Sequence, residues 1–536
     1  MAGAVSDLEK ELSARAASPG LAKPVIAAHA ATLVAAFATW AYLDRNLWFF
    51  GDEWDFLTRR GLHGAYFSIW TAHNEHWSVL PILLWRAIYS FAHVSSYWPY
   101  LVPLLIVHVS VVHLVWRRCL ICGADPWMAT AAAGVLGLLG SGAEDLTWAF
   151  QVGFLGSLVF GLLAIEVVEG PRALVGRVEK PMATMSRFPG SLLRSALTSA
   201  LALAALMCST VGVATAVALA IVVLAWYGWR RTLAVLAAPV FAFGVWFALS
   251  GHSGLGETGD YFSRPVFAGV PRFVLSNATR DLGDVAGSTS VGPPVAAAVL
   301  AWLAWSCWRR SLAVRRPAVL GGAVGAVVFY ALAALGRDRI SPTMSPSRYV
   351  YIGAVLLLPS LALLLSAVWK GLGGSWSGGW LGASWSGRWL GNAAWLLRPV
   401  VIVLVVLATW SNVAAGVAFA RNRTVYVHGL ENQIVTTATL LQQPGELALA
   451  INGYPIWASG FASGYLTPRV LAQLERQRVL PRARTSLMAS SELLSDETWL
   501  DVARGNRPLF AGQFVFESAT GVGWRLSRPV TAMSAS

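Results

Sequence analysis

Asp52, Glu53 and Asp55 place three carboxylates within four residues, just after an apolar run from Val25 to Leu43 that ends in Asp44-Arg45. Charge beside a bilayer is costly to desolvate, so acids in this position are functional candidates. A carboxylate at a dry interface can serve as a general base: burial raises its proton affinity, and a nearby cation restores ionisation. On an irregular segment or a helix start, adjacent acids point in different directions, so only one or two of the three face a common substrate. The competing use is structural, because Asp and Glu also stabilise the positive end of a helix.

Three further constellations carry polar chemistry. His73-Asn74-Glu75-His76-Trp77 could supply part of a divalent-cation site, although its spacing is not the His-Glu-x-x-His of a zinc protease. A substrate-contacting loop fits it better than a metal site, and a satisfied interfacial cluster better than either. Glu144-Asp145 precedes Trp148-Ala149-Phe150-Gln151 and offers a second carboxylate for a metal or an acceptor hydroxyl. Arg337-Asp338-Arg339 and Ser347-Arg348-Tyr349-Val350-Tyr351 flank a late loop. Arg348 at the edge of an apolar run suits a phosphate, since guanidinium offers a planar fork of donors and stays charged. An Arg/Tyr membrane anchor is the alternative. The chain shows no phosphate-loop or dinucleotide fingerprint and no Ser-His-Asp arrangement. Its four cysteines do not make a disulfide framework, and Cys119-x-x-Cys122 lacks a second ligand pair.

Composition sets the elements that must position these residues. Of 536 residues, 56% are hydrophobic and only 12% charged, with a mean hydropathy of +0.57; an average soluble domain is about 25% charged. This is an integral membrane protein. Its net charge of +13 would suggest nucleic acid in a soluble chain, but the bases sit in short clusters between apolar runs. Cytoplasmic anchoring of loops accounts for them, and no nucleic-acid partner is expected. Residues 1–24 carry no cleavable signal pattern, so the run from Val25 reads as a retained first span.

Apolar runs at 25–43, 99–116, 127–141, 146–166, 193–208, 211–227, 232–250, 293–308, 317–335, 349–369 and 398–418 predict about eleven transmembrane helices. With the N-terminus inside, that number puts Arg117-Arg118, Arg172 to Arg187, Arg230-Arg231, Arg309 to Arg316, and Lys370 with Arg388 all on the cytoplasmic side. The parity requires the stretch Val79 to His93, with Arg86 in its middle, to lie at the interface. The expected organisation is a cytoplasmic segment 1–24, a transmembrane domain 25–419 and an extracytoplasmic domain 420–536. Within it, loops 44–98 and 251–292 are external, and a Gly/Ser/Trp-rich linker 371–397 is cytoplasmic. In the tail, helices are expected from Thr424 to Leu441 and from Pro468 to Val479. Short strands are expected at 447–451, 513–517 and 524–526, giving a small α+β module.

The motifs together resemble the GT-C type membrane glycosyltransferases of actinobacterial style. The resemblance rests on Asp52-Glu53-x-Asp55 after the first span, His73-Asn74-Glu75-His76-Trp77-Ser78-Val79-Leu80-Pro81 leading into an interfacial helix, Glu144-Asp145 with Leu146 to Gln151, and Ser347-Arg348-Tyr349-Val350-Tyr351. It covers the membrane region and not the tail. It implies an all-α polytopic fold with a GT-C-like first external loop. It also implies a plasma-membrane enzyme that takes a hexosyl or pentosyl group from a polyprenyl phosphate on the outer face and passes it, with inversion, to a glycan, lipid or protein acceptor of the cell envelope. Asp52 would then be the base, with Glu53 second, and Arg348 with Arg337 or Arg339 would hold the phosphate. Asp55, His73, Glu75, His76, Glu144, Asp145, Gln151 and Tyr349 would contact substrate. Some members use a divalent cation (Mg2+ or Mn2+); the ligand set here is undefined. Two other classes compete: a transporter or flippase of lipid-linked saccharides, which would carry charges and broken helices near the midplane, and a non-catalytic envelope-assembly protein.

Overall fold

The computed structural model describes residues 21–62, 66–173, 191–254, 264–308, 316–337, 346–371, 394–440, 466, 468–477 and 479–480. Apart from one isolated bridge between His73 and His76, every regular element among them is helical. In chain order these are α1 (Lys23–Leu43), α2 (Glu53–Leu57), α3 (Val79–Ala92), α4 (Trp98–Ile121), α5 (Pro126–Gly137), α6 (Val152–Ala173), α7 (Ser191–Cys208) and α8 (Val211–Tyr227). They continue as α9 (Trp229–Leu249), α10 (Arg264–Val285), α11 (Gly292–Trp308), α12 (Pro317–Arg337), α13 (Ser347–Gly371), α14 (Ala394–Leu440) and α15 (Pro468–Arg476). The chain divides into two compact units: Met1–Arg45 with Tyr66–Leu84 and Trp98–Asn422, and Asn46–Ala65 with Trp85–Tyr97 and Arg423–Ser536.

Each of the predicted apolar runs contains a helix, although the run 127–141 leaves the α-helix at Gly137. Among the described residues, eight helices are long and apolar enough to cross a membrane: α1, α4, α6, α9, α11, α12, α13 and α14. α7 and α8 are shorter apolar helices. α5 has 12 residues, about 18 Å of helix against a hydrocarbon core of about 30 Å. The stretch Val79–Ala92 is likewise a short apolar helix.

Three stretches differ from the sequence reading. The external loop 251–292 contains the 22-residue helix α10. Val266, Phe273, Asn277 and Asp281 recur at helical spacing and form its buried face. The run 398–418 and the helix expected from Thr424 are one continuous 47-residue helix, α14. The charges Arg421 and Arg423 end the apolar pattern, but no Gly or Pro lies between Gly416 and Gly429 to break the backbone. Finally, Arg117 and Arg118 do more than anchor a loop. Arg117 Nε lies 3.0 Å from Glu166, and the buried Arg118 pairs with Glu169 one turn along α6. The tail strands at 447–451, 513–517 and 524–526, and most of the linker, lie outside the described residues.

Small residues let the helices of the first unit approach closely. A β-carbon on Gly321 or Gly325 of α12 would strike the Ala218 or Ala214 carbonyl of α8, so the two backbones meet there. Between α5 and α6 the chain passes through two 3-10 turns, Gly140–Asp145 and Ala149–Gln151. The first lies against α14, where a β-carbon on Gly140 would overlap the Asn412–Gly416 backbone.

Candidate functional site

The three clustered acids have three different surroundings within the second unit. Glu53 opens α2 and is fully buried. Its Oε2 accepts the Phe50 amide at 2.9 Å and its Oε1 accepts the Tyr97 hydroxyl at 2.6 Å. Asp55 is also fully buried, and Arg59 Nε (2.7 Å) and Arg60 Nε (2.5 Å) donate to its two oxygens. Arg86 of α3 donates to the Arg60 carbonyl at 2.8 Å and fixes that arginine's backbone. Trp48, Phe49, Trp54, Phe56, Trp85 and Tyr97 interlock edge to face around this helical turn. Asp52 occupies the N-cap position of α2 and is partly exposed. Glu53 and Asp55 thus hold the segment together, and Asp52 is the acid with solvent access.

The second acid pair belongs to the first unit. Glu144 and Arg348, about 200 residues apart in sequence, form an ion pair of 2.5 Å with side chains 14% and 21% exposed. The other Glu144 oxygen accepts the Arg348 amide at 3.4 Å, so the carboxylate also satisfies an orphan donor at the start of α13. Ser347 closes the same corner, donating to the Ser141 carbonyl at 2.6 Å and accepting the Glu144 amide at 3.3 Å. Asp145 is fully buried, and neither of its oxygens has a hydrogen-bond partner among the described residues. Burial raises its proton affinity well above the ordinary carboxylate range; the Glu144 charge adds to this and Arg348 opposes it. The turn thus sets an acid paired with an arginine beside a buried acid that holds its proton more tightly than an ordinary carboxylate. Tyr349 is buried, with its ring edge-on to Phe329. Arg337 ends α12, and Arg339 lies outside the described residues.

His73-Asn74-Glu75-His76 forms a tight turn in which His73 and His76 exchange both backbone hydrogen bonds (3.1 and 2.9 Å), with Asn74 at φ 49°. The Thr210 amide donates to His76 Nδ1 at 3.4 Å, and the Thr210 hydroxyl lies 2.6 Å from the same nitrogen. His73 packs its ring on Phe150, one residue before the buried Gln151. Trp77 stacks on Trp246, whose Nε1 donates to the Trp70 carbonyl at 2.8 Å. The loop is therefore fastened to the α7–α8 junction, to the second 3-10 turn and to α9.

Asn412 was not singled out by its sequence, yet it organises the corner that holds Glu144. Its Oδ1 accepts the Ser141 amide (3.2 Å) and hydroxyl (2.8 Å). Its Nδ2 donates to the Asp284 and Ala408 carbonyls (3.1 and 3.0 Å). An amide inside an apolar run is costly unless satisfied, and that was the available signal. Asp281 of α10 is another buried acid: Tyr330 donates to it at 2.6 Å, and burial pushes its pKa up to about 8. Among the described residues no three His, Cys, Asp or Glu side chains are grouped to hold a metal ion. The described donors of neither unit alone make a divalent-cation cage, and no step below is routed through one.

No protein-family model matches the chain, and no curated protein sequence matches it. Among solved structures it is similar to ArnT from Cupriavidus metallidurans bound to undecaprenyl phosphate, with 15% identity and a TM-score of 0.46 over 89% of this chain and 94% of that one. It is also similar to the oligosaccharyltransferase AglB from Archaeoglobus fulgidus in complex with an inhibitory peptide and a dolichol-phosphate, with 14% identity and a TM-score of 0.41 over 72% of this chain and 56% of that one.

Proposed function

We propose that the protein is a plasma-membrane glycosyltransferase that moves a sugar from a polyprenyl-phosphate donor to a cell-envelope acceptor on the outer face, with the N-terminus cytoplasmic and the tail extracytoplasmic. The observation that carries this reading is Arg348: a largely buried guanidinium at the first turn of an apolar span, held in place by Glu144. A lipid-linked phosphate presents its charge at that depth, and a fixed guanidinium is the side chain suited to bind it.

The roles follow from each residue's own surroundings. Arg348 stabilises the phosphate as it departs, when negative charge on it is greatest. Glu144 orients the guanidinium. Asp145, beside this pair, holds its proton more tightly than an ordinary carboxylate, which lessens the negative charge next to the phosphate. Asp52 takes the proton of the acceptor hydroxyl as it attacks the anomeric carbon; the bond to the phosphate oxygen breaks, and the phosphate leaves with the bonding electrons. Glu53 and Asp55 keep Asp52 at the start of its turn.

The test is transfer by the purified full chain in nanodiscs supplied with a panel of polyprenyl-phosphate sugars and envelope acceptors, together with mass spectrometry of lipid-linked sugars in cells lacking the protein. Expected are a consumed donor in vitro and an accumulated one in the deletion. An Asp52→Asn protein that folds, reaches the membrane and retains full transfer would sink the proposed base.

A further inference from the structure

We propose that the groove between α10 and the start of α11 binds the phosphodiester headgroup of an anionic phospholipid. One wall is a single face of α10, where Arg272, Ser276 and Arg280 recur four residues apart, with Thr279 beside them. Thr289 and Pro293 form the other wall. Thr289 also begins the apolar stretch Thr289–Trp308, so the groove sits at a membrane boundary, at headgroup level.

The groove is built before any ligand arrives. Ser288 N–H donates to Gly283 O (2.9 Å) and Gly287 N–H to Asp284 O (3.0 Å), with Gly287 at φ 84°, which closes α10 in a Schellman turn. Ser411 donates to the Gly287 carbonyl at 2.7 Å, and Asn412 to that of Asp284 at 3.1 Å, pinning the turn to α14. A β-carbon on Gly292 would overlap the Thr279 carbonyl, so the two walls touch backbone to backbone.

Charge selects the ligand. Arg272 has no ion-pair partner among the described residues, whereas Arg280 faces Asp284 at 3.6 Å. Two guanidinium groups against one carboxylate leave one net positive charge, which matches a phosphodiester monoanion better than a monoester dianion. The hydroxyls of Ser276, Thr279 and Thr289 supply neutral donors to the remaining phosphate or glycerol oxygens. Leu275, 59% exposed in the groove, and Leu300, 55% exposed seven residues beyond Pro293 on α11, offer an apolar track for an acyl chain.

The assignment does not depend on the transferase reading, because its test reads binding alone. Native mass spectrometry of the delipidated full chain would follow titration with phosphatidylglycerol, phosphatidylcholine, diacylglycerol, a polyprenyl phosphate and inorganic phosphate. Phosphatidylglycerol should bind, with Arg272→Gln or Arg280→Gln each weakening it on the order of tenfold. Arg230→Gln, an exposed arginine at the start of α9, should leave it unchanged. Equal retention of phosphatidylglycerol by the Arg272→Gln/Arg280→Gln double variant would overturn the site. Equal weakening by Arg230→Gln would overturn it as well, by revealing general surface charge. Equal or tighter binding of phosphatidylcholine, diacylglycerol or the polyprenyl phosphate, or displacement by millimolar inorganic phosphate, would overturn the ligand class.

Discussion

The two acid clusters begin alike in sequence, with adjacent carboxylates close to an apolar run, and end in contrasting surroundings. At 52–55 each buried acid is compensated: Glu53 by an amide and a tyrosine hydroxyl, Asp55 by two arginines, with the partly exposed Asp52 beside them. At 144–145 one acid takes the arginine, and its neighbour is buried with no hydrogen-bond partner among the described residues. Burial alone therefore does not decide whether an acid is charged. What decides is whether the fold delivers a cation or a set of donors to it.

The strongest way to break this contrast is Asp52→Asn. Transfer should fall about 10²- to 10⁴-fold, the usual weight of a general base, while unfolding free energy stays within about 0.5 kcal/mol, as for a surface change. Paired activity and thermal-melt assays distinguish this from a folding defect.

Next comes Asp55→Asn, which takes the carboxylate away from the buried Arg60 (side chain 6% exposed). Breaking a buried pair costs about 3–5 kcal/mol, readable as a lowered denaturation midpoint. An unchanged midpoint would mean that Asp55 does not hold the turn.

Asn412→Ala probes the corner that holds Glu144. It leaves the Ser141 amide unsatisfied, at about 1–3 kcal/mol if it stays buried, and removes one of two donors from the Asp284 carbonyl, which keeps the Gly287 amide. Hydrogen exchange of residues 140–147 should rise more than exchange in α2; a uniform rise would remove Asn412 as a local brace.

Near pH 4 the smallest effect is expected from Asp145→Asn. Because the native pKa of Asp145 lies above its unfolded value of about 3.9, the native state binds more protons between the two. Wild-type stability contributed by this group is therefore fully present below about pH 4 and is lost as pH rises toward the native pKa. The variant should match the wild type below about pH 4 and show a flatter decline above it, by up to about 1.4 kcal/mol per pH unit. Identical slopes in melts from pH 5 to 8 would mean that Asp145 is ionised.

Much of the fold was legible because helix formation is local. Every apolar run from 25–43 to 398–418 contains a helix, and the stretch 79–93 holds a short one. The reading faltered where a helix carries a mixed face or outruns its apolar pattern. α10 was hidden by Pro265, Pro271 and its charges, and α14 by Arg421 and Arg423, which change solvent preference without stopping the backbone.

For the candidate site, residue types and spacing alone singled out Asp52, Glu53, Asp55, Glu144, Asp145 and Arg348, because charged groups beside apolar runs stand out against their surroundings. Their states required the tertiary structure. That Glu144 takes Arg348 and Asp145 does not, and that Glu53 binds Tyr97 instead of facing solvent, depends on partners 44 to 204 residues away. Proton affinity and hydrogen-bond pairing are set by neighbours in space, and adjacent residues on one turn can meet entirely different ones.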